Sequence, residues 1–360
     1  MKLNLTLFCL FCSAFAFSQN VKYSAKLTEK PFRFEVIKEG EAKPLFVIDN
    51  GVSLQHFTNS TIKDRPPYSV WTEGKFDRKK TAYRAVEIKK TDSLHLFVLL
   101  NDKNDSLFRF QYQIKGNRLD FKLAEINPPV EDDKHHSRIT VNVISQPDDS
   151  YLGMGMRFNQ VNQRGTIVTN WCKEVGVSLP KVSRNGSPEG QDITYYTVPF
   201  FLNLKGYGFL LNSFHFSEFD FAKTNPEALK ITNYSHRFDA TIFLSESPLE
   251  VIGNFQKSTG TYKKPKPWVF GVWAAAVNDW QSKESGQLVN EKVLKTHREN
   301  NIPLSAIMAE DWNWNKDILH PMDAWTLNEK QYPDYKKMIE VQRKSGVKHI
   351  AYFLPIFYRP

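Results

Sequence analysis

Leu304-Ser305-Ala306-Ile307-Met308-Ala309-Glu310-Asp311-Trp312-Asn313-Trp314 is the stretch on which the fold turns. It reads as a short apolar strand running into carboxylates, amides and indoles, with a helical pattern on either side. In a (β/α) barrel the C-terminal ends of the parallel strands converge on one mouth, so strand, acidic and aromatic loop, then helix predicts a site. The expectation puts Asp311 at that mouth.

Working outward, residues 287–300 read as a helix, with Val289 and Val293 one turn apart, and residues 268–274 as a buried strand before it. Residues 333–345 read as a second helix, with Pro333 at its first position and Tyr335, Met338, Ile339 and Gln342 on one face. Gly346 stops it, and residues 348–356 form a third strand. Strands alternating with helices imply a parallel sheet with right-handed crossovers. Three such strands do not close a barrel that needs eight. The expectation is a truncated (β/α)8 barrel, the chain being part of a longer protein.

Between about residue 30 and residue 260 the period is two instead. Phe108, Phe110, Tyr112 and Ile114 alternate with polar residues, as do Leu119, Phe121 and Leu123. Ile139-Val141-Val143, Phe238-Ala240-Ile242-Leu244 and Leu94-Leu96-Val98-Leu100 read the same way. Turns such as Lys115-Gly116-Asn117 separate them. Many half-buried antiparallel strands at short spacing predict a β-sandwich, with no helix interrupting it. Pro265 and Pro267 hold a linker extended. The predicted organisation is a signal over 1–18, a sandwich over 19–262 and the first part of the barrel over 263–360.

The signal rests on Lys2, the apolar run from Leu3 to Phe17 and small residues before Ser18-Gln19; a buried N-terminal strand is the alternative. With Cys9 and Cys12 inside it, Cys172 is the one cysteine left of three, which excludes an intrachain disulfide and a cysteine metal cluster. An exported protein, periplasmic or extracellular, fits that usage. The net charge of +9 comes from scattered cations rather than a basic stripe with stacking aromatics, so nucleic acid is excluded as a partner. No transmembrane helix is expected once the signal is removed. Oligomeric state is left open by the sequence. A hydrophobic share of 41% suffices for two cores, and 14% aromatic residues suits both strand packing and sugar rings.

Several stretches resemble glycoside hydrolase family 31, the α-glucosidase and α-xylosidase family. They are Tyr151-Leu152-Gly153-Met154-Gly155-Met156-Arg157-Phe158 with Asn162-Gln163-Arg164-Gly165, then Thr259-Gly260, Pro265-Lys266-Pro267-Trp268 and Phe270-Gly271-Val272-Trp273. Asn301-Ile302-Pro303 through Asp311, Tyr332-Pro333-Asp334 and Leu354-Pro355-Ile356 complete the set. Met156 departs from the family's Glu. The resemblance implies a galactose-mutarotase-like β-sandwich before a catalytic (β/α)8 barrel, and retaining cleavage of an α-linked sugar without cofactor. It also implies that Asp311 binds sugar hydroxyls, and that the nucleophile and the acid/base, both aspartates, lie on later strands beyond Pro360.

Retaining cleavage needs two carboxyl groups about 5 Å apart across the anomeric carbon. Glu310 and Asp311 are not that pair, because neighbouring strand residues point to opposite faces and only one of them faces the mouth. Asp311 either accepts sugar hydroxyls or caps the following turn. Trp312 and Trp314 either stack on a pyranose face or pack against barrel helices. Asn278 follows the first strand at the mouth, and Trp171 either belongs to a sandwich loop lent to the site or packs in the core. His135-His136 beside Asp132-Asp133 lack a third ligand at useful spacing, so no metal is expected. Gly153-Met154-Gly155 reads as a close backbone approach, not a nucleotide fingerprint. A non-catalytic carbohydrate-binding protein or a decayed gene fragment is the alternative class. Within the family, the Glu310-Asp311-Trp312 string is also somewhat like members that cleave sulfoquinovosides, and a lyase or transglycosylase outcome stays open.

Overall fold

The computed structural model describes residues 22–65, 68–91, 94–129, 135–171, 194, 196–276, 284–313 and 326–353, with backbone alone over 59–73. The predicted signal lies outside the described residues, as do Asp132-Asp133 and Cys172. The chain divides into two compact units, Met1–Thr261 and Tyr262–Pro360.

The first unit is a pair of antiparallel sheets. One runs Tyr23–Thr28, Arg33–Lys38, Phe46–Arg65, His135–Ile144, Ala228–Asn233, Ser217–Phe221 and Ile167–Asn170, and two further strands pair with Phe46–Arg65. The other runs Leu152–Gly153, Phe200–Asn203, Tyr207–Leu211, Arg237–Leu244, Arg118–Glu125, Ser106–Lys115, His95–Leu100 and Arg84–Lys90. Alternation decides what lies between them. Ile139, Val141 and Val143 face inward from the first sheet, and Phe108, Phe110, Leu119, Phe121, Leu123, Phe238 and Ile242 from the second, all essentially without solvent contact. Each such side chain contributes roughly 1.5–3 kcal/mol by leaving water. The core is built largely of phenylalanine. Phe34 meets Phe110 edge-on at 5.3 Å, and Phe201 stacks on Phe209 at 5.4 Å, so the rings interlock by shape as well as by area.

Two expectations for this unit are corrected. The run 94–100 buries Phe97 and Leu99, while Leu94, Leu96 and Val98 are only half-buried; Leu100 is buried as expected, past a register shift that follows Leu99. An almost wholly apolar run carries no alternation of its own, so its register follows its neighbour, with Phe97 opposite Phe110 and Leu99 opposite Phe108. A helix, Pro248–Thr259, also interrupts the strands. Ser247 caps it by accepting from the Glu250 amide, and Pro248 occupies its first turn, a Ser-Pro-x-Glu start legible in the sequence. Val251 and Phe255 pack it onto Phe200 and Phe243.

The close approach at Gly153-Met154-Gly155 is present. Gly155 has φ +81°, and a Cβ there would stand 2.2 Å from the Tyr196 carbonyl oxygen; Gly153 has φ +127° against the Phe200 carbonyl. Only glycine fits either place.

In the second unit, Trp273–Ala276, Ala306–Ala309 and Lys348–Ala351 form a parallel sheet in that order, with helices Gly286–Glu299 and Tyr335–Lys344 as the crossovers. The first strand begins later than expected, because Pro267–Phe270 is a 3-10 turn. Its side chains are not buried and Phe270 is largely exposed, so an apolar run of that length did not by itself identify a strand. The second helix starts at Tyr335 with Asp334 at its N-cap, so Pro333 precedes it rather than holding its first position. Gly346 follows that helix with φ +76°.

Gly155→Ala is expected to destabilise the sandwich by about 2 kcal/mol or more, since the residue must leave the left-handed region and push back the Tyr196 carbonyl, which accepts from the Met156 amide. Urea unfolding followed by far-UV dichroism measures it as a lower midpoint at unchanged slope.

Candidate functional site

The site is built at the C-terminal end of the middle strand. Ala276, Ala309 and Ala351 lie side by side there in register. Ile307 and Ala309 both face the helices. Ile307 packs with Leu294, Val347 and Ala276, and Ala309 with Trp312, Tyr332 and Met338. The alternation that turns these two toward the helices turns Met308, between them, toward the other face of the sheet.

Asp311, two residues beyond Ala309, keeps to the helix side. It is 3% exposed, and its Oδ1 accepts a hydrogen bond of 2.6 Å from the hydroxyl of the fully buried Tyr332. Burial first, then the adjacent Asp311, push the Tyr332 hydroxyl far above its ordinary pKa. Burial followed by the Asp311 charge pushes Tyr335 up to about 12. These tyrosines are therefore proton donors at any working pH. Glu310 differs. It is half-buried, and its carboxylate makes no hydrogen bond or ion pair with a described residue.

Trp312 is only 8% exposed. Its indole N–H donates to the Tyr352 carbonyl at 2.6 Å, and its ring meets Phe353 edge-on at 4.8 Å. These contacts hold the indole against the segment that follows the third strand. Asn278 and Trp314 lie outside the described residues. Trp171, in the first unit, sits just after strand Ile167–Asn170, is 36% exposed and tilts against Phe216 at 5.9 Å. Asp311, Trp312 and Tyr332 are thus brought together. Tyr332, from the Tyr332-Pro333-Asp334 string that stands out in the sequence, joins this group without having been a candidate, and Glu310 directly precedes Asp311.

Beneath this group His349 is sandwiched between strand and helix. Gln342 Oε1 only accepts, so His349 Nδ1 carries the proton it receives at 2.9 Å, and Nε2 accepts from the Tyr335 hydroxyl at 2.7 Å. Burial lowers the pKa of this neutral ring to about 4. Among the described residues no cluster of three or more His, Cys, Asp or Glu side chains is placed to hold a metal. No described helix is long and apolar enough to cross a membrane.

The sequence matches the N-terminal galactose mutarotase-like domain of glycosyl hydrolase 31 over residues 13–220, and the family 31 TIM-barrel domain over residues 263–360. The chain belongs to glycoside hydrolase family 31. Among curated members of the family, the α-xylosidase XylQ of Lactiplantibacillus pentosus is 22% identical over 208 residues, 58% of this chain and 25% of that protein. The sulfoquinovosidase of Escherichia coli K12 is 21% identical over 238 residues, 62% of this chain and 34% of that protein. The chain thus spans about a quarter to a third of the length of these curated family 31 relatives. A family 31 sulfoquinovosidase from E. rectale, solved with an aza-sugar inhibitor, superposes with a TM-score of 0.66 at 16% identity, covering 92% of this chain and 48% of that one. The family 31 fold, a mutarotase-like sandwich followed by the start of the barrel, is therefore established for this protein.

His349 sets a pH dependence. Its folded pKa of about 4 lies below the ordinary 6.5, so the unfolded chain takes up a proton first as pH falls. Its contribution is fully present above about pH 6.5 and is lost progressively down to about pH 4. Thermal midpoints of His349→Gln and the parent are expected to converge between about pH 7 and pH 5; parallel curves would contradict the assignment.

Proposed function

We propose that this chain is the sandwich and the opening of the catalytic barrel of an exported retaining α-glycosidase that hydrolyses α-linked glucosides or xylosides. The observation that carries the reading is the acidic end of strand Ala306–Ala309. There, a half-buried Glu310 without a described protein partner directly precedes a pinned Asp311. A carboxylate that no described protein group satisfies accepts sugar hydroxyls through charge-assisted bonds. In this reading the site takes its hydroxyl contact from Glu310, with Asp311 as the support behind it, rather than from Asp311 directly. Trp312 walls the site, and Asn278 and Trp314 are further candidate contacts. Family membership supports hydrolysis of O-glycosyl bonds, and the α-xylosidase among the relatives supports a neutral substrate.

The displacement itself needs a nucleophile at the anomeric carbon and an acid that protonates the departing oxygen, followed by hydrolysis of the glycosyl-enzyme by water. The family resemblance assigns both to later barrel strands, and no cofactor enters. Sulfoquinovosides are the second reading, favoured by the Glu310-Asp311-Trp312 string and the sulfoquinovosidase relative. An anionic sulfonate calls for a guanidinium clamp, and the sequence has no arginine between Arg298 and Arg343, which favours the neutral sugars.

In the protein expressed from its complete reading frame, Glu310→Gln is expected to lower kcat/KM for 4-nitrophenyl α-glucoside or α-xyloside by about 10- to 100-fold. Parental kinetics in that variant would reject Glu310 as the contact. Faster turnover of a sulfoquinovoside than of either neutral substrate would establish the second reading. The isolated 360-residue chain is expected to show no turnover. Export is checked by N-terminal sequencing of the secreted protein, expected to begin at Gln19.

A further inference from the structure

Tyr332 is a tyrosine where a phenylalanine would fill the same space, and its hydroxyl has one evident task. It reaches from the turn before helix Tyr335–Lys344 to Asp311, at the end of the preceding strand. The ring is clamped from its other side. A Cβ on Gly286 would stand 2.5 Å from the Tyr332 Cζ and hydroxyl, so the first residue of helix Gly286–Glu299 has to be glycine for the ring to lie there. Asn290, one turn on and completely buried, donates from Nδ2 to the Gly286 carbonyl at 3.0 Å, and the same Nδ2 stands 3.5 Å from the Tyr332 hydroxyl.

The start of that helix and the turn carrying Tyr332 are also fastened to each other. The Gly286 amide donates to Gln331 Oε1 at 3.0 Å and the Gln287 amide to the Gln331 carbonyl at 3.0 Å. In return, the Asp334 amide donates to Gln287 Oε1 at 2.8 Å. Amides that a helix start leaves without intrahelical partners are used here to hold the tyrosine turn. The hydroxyl that meets Asp311 is thereby held from both the turn and the helix start.

We infer that Tyr332, clamped by Gly286 and Asn290, is the positioning residue of the site: by fixing Asp311 on the helix side it sets the direction in which Glu310 points. Asp311, Trp312 and Glu310 are consecutive, so rotation of the backbone that released Asp311 would also turn Glu310 away from the sugar side and disturb the Trp312 indole bond to Tyr352. The link to sugar binding rests on the proposed glycosidase function; the link to the geometry of Asp311 and Trp312 does not.

The test uses the protein from its complete reading frame. Tyr332→Phe keeps the ring and removes the hydroxyl, and Gly286→Ala keeps the hydroxyl and displaces the ring. Both are expected to raise KM for 4-nitrophenyl α-glucoside about tenfold with kcat changed less than about threefold, and to shift the Trp312 indole N–H resonance. Adding Tyr332→Phe to Asp311→Asn is expected to change KM by less than about twofold further, because the two groups act as one unit. A lower melting midpoint with unchanged KM and an unmoved indole resonance would reduce Tyr332 to a core residue and overturn the inference. If the protein turns over no α-glycoside, the glycosidase reading falls and the indole resonance decides alone: a shift supports the positioning role, and parental resonances in both variants overturn it.

Discussion

Successive side chains along an extended strand leave the backbone on opposite sides, and the rest of this molecule depends on how that constraint is used. In the sandwich it sorts each strand into a face that joins the phenylalanine core and a face that meets water. In the barrel unit the same alternation acts along the short strand Ala306–Ala309. Ile307 and Ala309 go to the helices with Met308 between them on the other side, and Asp311, just past the strand, meets Tyr332 on the helix side. One buried and one half-buried carboxylate need no elaborate loop once a strand ends in two acids.

Burial then gives the two acids different surroundings. Asp311 is almost sealed from water, and the Tyr332 hydroxyl is among the groups that meet it there; an uncompensated carboxylate at that depth would be strongly destabilising. Glu310 keeps partial access to solvent and has no described protein group to satisfy it. The asymmetry comes from the clamp on Tyr332, whose parts lie on two different crossover units.

Much of this was legible in the sequence. The period-two runs named the inward faces of strands Ser106–Lys115, Arg118–Glu125, His135–Ile144 and Arg237–Leu244, because polar and apolar residues alternate there. The change to strand and helix alternation after the prolines, the glycine pair near Tyr151 and the acidic end of the second strand were equally visible. What escaped lacked local contrast. The run from Leu94 to Leu100 is apolar nearly throughout, and only its partner strand fixes its register. Helix Pro248–Thr259 was announced by its cap but lay among strands. The roles of Glu310 and Asp311 hang on Tyr332, 21 residues past Asp311, and no reading of the acidic string alone reveals a hydroxyl brought to it by folding.

The phenylalanine core of the sandwich carries an optical consequence. Six of the eight tryptophans, at positions 268, 273, 280, 312, 314 and 325, belong to the unit that starts at Tyr262, while the described core of the first unit contains none. Emission excited in the indole band therefore reports chiefly on the barrel unit, whereas the far-ultraviolet strand signal reports chiefly on the sandwich. The two units carry separate spectroscopic labels by composition alone, and the cooperativity of their melting can be read without attaching a dye to either.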